Sequence, residues 1–226
     1  AGMVFTPHKR TSLRERVLRD LRAAILRGAL PAGERIYEGK IAEQMDVSRA
    51  PVREALMALQ QEGLVTRIPN KGVFVARLTK AELSEFYTLR SVLEEFAMEL
   101  AINEATEADI ERLRERLRVM AEAAEERDKA AVFEADVGFH RALVQASHHA
   151  LLLHFWRQVQ NLLHVQYVTL FQVMYPLSED IVARHQLLLD ALLSGDPTEA
   201  RSAVREHIVT AGERLIQEGR DHGLFT

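Results

Sequence analysis

Four side chains in the C-terminal half have the types and spacing of a metal-ligand set: Asp136, His140, His185 and His207. Asp136 and His140 are four residues apart, so on a helix both project from one face. His185 and His207 are 22 residues apart and cannot share a face, yet Gly195-Asp196-Pro197 stops one helix between them and starts the next. In the antiparallel hairpin this turn makes, His185 lies ten positions before Gly195 and His207 eleven after Asp196. At ~1.5 Å per residue each is about 15 Å from the turn, so the two imidazoles are level across the pair. Three imidazoles and a carboxylate inside a bundle suit a divalent cation, Zn²⁺, Ni²⁺, Mn²⁺ or Fe²⁺. Such a set leaves one or two coordination positions for water or a ligand carboxylate. A lone histidine on an amphipathic helix is ordinarily a surface or core residue. His148, His149, His154, His164 and His222 have no comparable partners in the sequence and are read that way.

A second constellation lies in Asp46-Val47-Ser48-Arg49-Ala50-Pro51-Val52-Arg53-Glu54-Ala55-Leu56. It reads as the turn and second helix of a helix-turn-helix, the part that enters a DNA major groove. Asp46-Val47 closes a short preceding helix. Ser48 is placed to N-cap the next one through its hydroxyl, and Pro51 falls in the first turn, where its missing N–H costs little. Arg49 and Arg53 share a face near the helix start, where guanidinium groups reach base edges and phosphates. Val52, Ala55, Leu56 and Leu59 supply the opposite, buried face. Downstream, Asn70, Lys71 and Gly72 form a hairpin tip that can approach a minor groove closely, because glycine adds no side-chain bulk.

These two sets need different supports. Ser12-Leu13-Arg14-Glu15 matches a capping box, and Leu13, Val17, Leu18, Leu21 and Ile25 make an apolar stripe that stops at Gly28, suited to a left-handed C′ position. Pro31-Ala32-Gly33 is a turn. Residues 40–45 form a short helix with Ile41, Ala42 and Met45 facing inward, and the helix at 48–62 ends at Gly63. The β-branched runs 64–68 and 73–76, separated by Pro69-Asn70-Lys71-Gly72, make a β-hairpin. Three helices and this hairpin give a winged helix-turn-helix over residues 1–77. From Thr79 onward there is no strand signal. Six helices at 79–103, 106–127, 130–147, 150–174, 178–194 and 196–219, with a break at 175–178, form an all-α bundle over 78–226. The fold class is mainly α. The helix at 106–127, with Arg112, Arg114, Arg116 and Arg118 among glutamates, is a solvated face.

Charge divides along the same line. Over 226 residues the net charge is −4, but residues 1–77 hold 14 Lys+Arg against 8 Asp+Glu, a balance of +6, and residues 78–226 hold 15 against 25, a balance of −10. A basic module that meets phosphate is joined to an acidic one that does not. No apolar run reaches the ~18 residues of a membrane span, and the N-terminus lacks the apolar stretch of a signal peptide. The absence of cysteine excludes disulfides and thiolate metal sites and fits a reducing cytoplasm, so the expectation is a cytoplasmic protein with no membrane partner.

With these residues in place, the chain strongly resembles the GntR family of bacterial transcription regulators, in its FadR-type branch with an FCD effector domain. The run from Val47 through Leu56 is similar to that family's recognition helix. Glu62-Gly63-Leu64-Val65 followed by Pro69-Asn70-Lys71-Gly72-Val73-Phe74-Val75 resembles its wing. In the C-terminal half the likeness runs through Asp136, His140, His185, Gly195-Asp196 and His207. Six C-terminal helices look more like the VanR-like group than the seven-helix FadR group. The resemblance implies a homodimeric repressor on a palindromic double-stranded DNA operator, released or rearranged when a small carboxylate-type effector binds the FCD domain. It also assigns metal binding to the same four positions. Gly39 stands where some relatives carry a DNA-contacting arginine, so that contact is absent here.

Arg90, in Tyr87-Thr88-Leu89-Arg90 and among Phe86, Leu89 and Leu93, has two readings. It offers a guanidinium fork to the effector carboxylate, or it forms a structural ion pair with Glu94. Phe133, Trp156, Tyr167 and Phe171 are read as packing residues. The link at 76–79 is short, so a shift in the first bundle helix can re-aim the wing. Three other readings compete. The metal itself can be the signal of a metal-sensing regulator. A metal-dependent hydrolase would need a general base, and Glu134, two residues before Asp136, points to another face; no catalytic residue is assigned. A protein-docking role for the N-terminal module is disfavoured by its +6 balance and paired arginines.

Overall fold

Ser12 and Glu15 open the first helix reciprocally: Glu15 N donates to Ser12 Oγ at 3.1 Å, and Ser12 N donates to Glu15 Oε2 at 2.8 Å. The computed structural model describes residues 12–166 and 180–221, in two units, Ala1–Ala76 and Arg77–Thr226.

In the first unit, α1 (Leu13–Leu26) buries Val17, Leu21 and Ile25 and packs on α3 (Arg49–Gln61), which buries Val52, Ala55, Leu56 and Leu59. Leu13, expected in the same stripe, is exposed, because as the first helical residue it precedes the turns that are covered. Gly28 adopts φ +72°, the left-handed stop the sequence called for. Arg22 makes a two-pronged ion pair with Glu62, tying α1 to the end of α3. Between them α2 (Glu38–Gln44) buries Ile41 and Ala42. Met45 is only half-buried, because the helix ends at Gln44 and Met45 is its C-cap. The wing strands are β2 (Val65–Ile68) and β3 (Gly72–Val75), paired antiparallel with Val65 opposite Val75 and Ile68 opposite Gly72. A two-stranded hairpin is an incomplete description. A further strand, β1 (Arg35–Ile36), pairs with the other edge of β3, giving the order β1-β3-β2. Two residues carry no alternation to read, and Ile36 becomes buried only against its distant partner.

The second unit holds six helices among the described residues: α4 (Lys80–Glu104), α5 (Glu107–Glu125), α6 (Lys129–Ala146), α7 (Ala150–Gln166), α8 (Asp180–Ser194) and α9 (Pro197–Asp221). The expected continuation of α7 to Met174, the break at 175–178, and the side chains of His164, Tyr167, Phe171 and His222 lie outside the described residues. Thr79 and Glu82 cap α4 by the same reciprocal bonds as α1. Gly195 turns the chain at φ +73°, and Asp196 Oδ1 accepts from the backbone of Thr198 and Glu199, so Asp196-Pro197 starts α9 as N-cap and first residue. The core contains Val132, Phe139, Leu143, Trp156, Leu188, Val204 and Ile208, each worth about 1.5–3 kcal/mol when buried. Close approach of α9 to α4 depends on Gly212, where a Cβ would lie 2.5 Å from the Tyr87 ring.

One helix buries a charged pair within its apolar face. On α4, Arg90 and Glu94 are buried while Leu89, Val92 and Phe96 are exposed. Leu89, expected beside the apolar positions around Arg90, is exposed, and the covered face of α4 holds Arg90 and Glu94 among Leu83, Phe86, Ala97 and Met98.

The Thr106 cap of α5 gives a measurable pH effect. Burial works against the Asp109 charge, but the Thr106 hydroxyl and backbone N–H, then His148, outweigh it and pull the carboxyl down to about 2. A depressed folded pKa contributes stability above the unfolded value and loses it as pH falls from about 4 through about 2. Denaturant unfolding over that range should show the native protein losing about 2 kcal/mol more than Asp109→Asn. Parallel pH profiles for the two proteins would refute it.

Candidate functional site

The helix-turn-helix places Arg49 and Arg53 at the exposed start of α3. The Arg49 guanidinium lies beside Gly39 of α2, where a Cβ would meet its Nη2 at 3.4 Å, an ordinary van der Waals contact. Arg53 Nε donates to Glu38 Oε2 at 3.3 Å, and Arg67 Nη2 donates to Glu38 Oε1 at 3.5 Å. One carboxylate on α2 therefore bridges the recognition helix and wing strand β2. Sequence reading missed Glu38 and Arg67, since nothing local links positions 15 and 29 residues apart. At the wing tip Asn70 has φ +61° and Gly72 φ +114°, with Lys71 exposed between them.

Ser48 corrects the sequence reading. Its backbone is in the N-cap conformation, φ −71° and ψ 164°, but its hydroxyl makes no capping hydrogen bond. Ser12, Thr79 and Thr106 each accept from the N–H three residues on. For Ser48 that residue is Pro51, which has no N–H, so the proline that fits the first turn removes the donor a capping serine uses.

In the second unit the hairpin of α8 and α9 brings His185 and His207 together, ring centroids 4.6 Å apart, and α6 supplies Asp136 and His140. Ligand atoms of His140, His185 and His207 all lie within 4.8 Å of one another. Asp136 joins them: its Oδ1 is 2.8 Å from His185 Nε2 and 3.8 Å from His140 Nε2. The outer nitrogens determine what faces inward. His185 Nδ1 is 2.7 Å from the Ile181 carbonyl, which can only accept, so Nδ1 carries the proton. His140 Nδ1 is 2.5 Å from Glu94 Oε2 and donates in the same way. In neutral rings both Nε2 atoms then present lone pairs, yet they face each other at 3.2 Å beside a carboxylate. A proton can satisfy one such contact, whereas a cation satisfies the whole set. Two ligands at about 2.1 Å from one ion, 90–110° apart, are about 3.0–3.4 Å from each other, and the His140–His185 pair has that spacing.

Burial holds His207 well below its ordinary pKa. Burial also lowers His140, against the opposing pull of Glu94. Both shifts favour the neutral, ligating imidazole. For Asp136 burial opposes the charge, but the polar contact with His185 and the nearby Arg90 guanidinium hold the carboxyl well below its usual range.

Behind the imidazoles lies a layer of which sequence reading offered only the Arg90–Glu94 ion pair. Glu94 accepts from Arg90 Nε at 2.7 Å, from Trp156 Nε1 at 3.0 Å and from His140. Burial raises its pKa, and Arg90, then His140, more than reverse this, so the carboxyl stays well below its usual range. Outer carboxylates of this kind fix the tautomer of a ligating histidine. Arg90 thus forms the Glu94 ion pair, while its buried Nη2 finds no partner among the described residues. Trp156 is both core and hydrogen-bond donor. A small cleft of about 70 Å³ reaches Asp136, His185 and His207 from outside, with Arg184 and Arg214 at its walls. His148 and His149 are structural: one binds Asp109, the other accepts from Leu152 N at the start of α7. No described helix is long and apolar enough to cross a membrane.

Residues 13–75 match the gntR family of bacterial regulatory proteins, and residues 85–210 match the FCD domain. The chain is 33% identical to the probable D-xylose utilization operon transcriptional repressor of Paenarthrobacter nicotinovorans, over 88% of this chain and 87% of that one. It is 29% identical to the gluconate operon transcriptional repressor of Bacillus licheniformis, over 83% and 78% of the two chains. Among solved structures it is similar to E. coli McbR/YncC, with TM-score 0.74, 27% identity and coverage of 92% and 99%. A transcriptional regulator GntR from Rhodococcus sp. RHA1 gives TM-score 0.75, 28% identity and coverage of 92% and 99%. The chain therefore belongs to the GntR family, with an FCD domain after its helix-turn-helix, and is a transcriptional regulator, not an enzyme.

Proposed function

We propose that this regulator is a ligand-responsive repressor whose FCD domain binds a divalent metal through Asp136, His140, His185 and His207, and a small organic acid beside it. The observation that carries this is the convergence of two lone-pair nitrogens and a carboxylate, with a third imidazole alongside, on one point. When bound, the metal supplies an electrophilic anchor for an acid carboxylate. The cleft gives a ligand access to that point, and the unsatisfied Nη2 of buried Arg90 supplies positive charge behind it. DNA contact falls to Arg49 and Arg53 on base edges or phosphates, Ser48 on the backbone, and Asn70, Lys71 and Gly72 at the adjacent groove. The protein acts in the cytoplasm, where operator DNA is found.

A second copy of the chain completes the reading. Leu89, Val92 and Phe96 on α4 and Leu151 and Phe155 on α7 are exposed apolar residues on two contacting helices, and they suit a homodimer face. A dimer matches a palindromic operator. Sedimentation at micromolar concentration giving only monomer removes this part.

An effector changes DNA affinity only by binding two arrangements of the protein unequally. The test is operator affinity, on a duplex selected by the protein from random DNA, with Zn²⁺, Ni²⁺, Mn²⁺ or Fe²⁺ and with gluconate, citrate or lactate. An acid-dependent change of fivefold or more that requires the metal supports the proposal. A change with metal alone makes it a metal sensor instead, and constant affinity throughout overturns it.

A further inference from the structure

A cationic cluster in the first unit has no part in the contacts assigned so far. Arg35 on β1 and Lys40 on α2 both reach the ring of Tyr37, with Arg35 Cζ 5.0 Å and Lys40 Nζ 5.1 Å from its centroid. All three residues are exposed. Neither cation forms an ion pair among the described residues, and the acid between them in sequence, Glu38, binds Arg53 and Arg67 instead. Two like charges gathered on one aromatic ring repel each other, and a shared anion would relieve them.

Position decides which anion. On one side Arg35 lies against the wing tip, where a Cβ on Gly72 would be 3.2 Å from its Nε. On the other, Gly39, beside Lys40, lies under Arg49. The cluster therefore lies between a cation-bearing wing tip and the recognition helix, beside Glu38, which binds Arg53 and Arg67. We infer that Arg35, Tyr37 and Lys40 form an accessory clamp for the phosphate backbone of double-stranded DNA, with Tyr37 holding the two cations at a fixed separation. The inference rests on the DNA-docking reading of Arg49 and Arg53.

A backbone clamp carries no sequence information, so its loss has a distinct signature. Affinities of full-length protein for a selected operator and for a random-sequence duplex would be measured against salt, for the parent, Arg35→Gln/Lys40→Gln, Tyr37→Phe and Tyr37→Ala. The double variant should weaken both duplexes by a similar factor, on the order of tenfold or more, and lower the salt slope by about 1 per cation removed. Tyr37→Phe should bind as the parent does, and Tyr37→Ala should fall between parent and double variant. An unchanged slope in the double variant, or a loss confined to the selected operator, overturns the clamp. A parent that binds neither duplex overturns the docking reading beneath it.

Discussion

Alanine at both Arg49 and Arg53 is expected to reduce operator affinity to the level of random DNA. Each bidentate base contact is worth about 1–3 kcal/mol of discrimination, so the pair together accounts for a specificity ratio of roughly 30 to 2 × 10⁴. The two substitutions should not be equal. Arg49 has no carboxylate partner among the described residues, so Arg49→Ala removes its DNA contact alone. Arg53 shares Glu38 with Arg67, and Arg53→Ala also leaves that carboxylate less compensated on a surface meant for phosphate. The larger loss should therefore fall at Arg53, with partial recovery when Glu38→Gln is added, a coupling a double-mutant cycle would measure. Fluorescence anisotropy with selected and random duplexes is the measurement. Full operator affinity in the double variant would mean that α3 does not read DNA.

Metal removal is expected to have the second large effect. Protein purified without chelator should carry about one divalent ion per chain by elemental analysis, in keeping with one convergent donor set. An ion present at a thousandfold excess over its dissociation constant adds about 4 kcal/mol to the state that binds it. Chelation should then lower the bundle's melting temperature by roughly 10 °C, at 2–4 °C per kcal/mol for a domain of this size. Asp136→Asn and His207→Ala are the informative variants, because both side chains are only partly buried and open to the cleft. Each should lose the ion and melt like the chelated parent, with little further response to chelator. Variants that retain the ion as the parent does would remove these residues from the ligand set.

What could be read from the chain by itself was whatever is decided within a few residues. The capping pairs Ser12/Glu15 and Thr79/Glu82 form because each needs only a turn of its own helix. The wing hairpin follows from Pro69-Asn70-Lys71-Gly72, whose left-handed conformations at Asn70 and Gly72 suit those residue types. The meeting of His185 with His207 was also legible, since a stop at Gly195 and equal distances either side fix the register of a helical hairpin. Ser48 shows where a local rule defeats itself: two correct preferences, serine at the cap and proline in the first turn, compete for one N–H.

Only tertiary structure decided the rest, because the partners are remote. β1 exists through β3, nearly forty residues on. Arg90 could face effector or Glu94 with equal warrant in the sequence. Trp156 and His140, 62 and 46 residues from Glu94, bond to its carboxylate and hold the Arg90–Glu94 pair in the interior. Glu38 likewise becomes a bridge only when α2, α3 and β2 converge. Spacing along a helix selects a face, but which face is buried depends on the free energy of groups the chain brings to it from elsewhere.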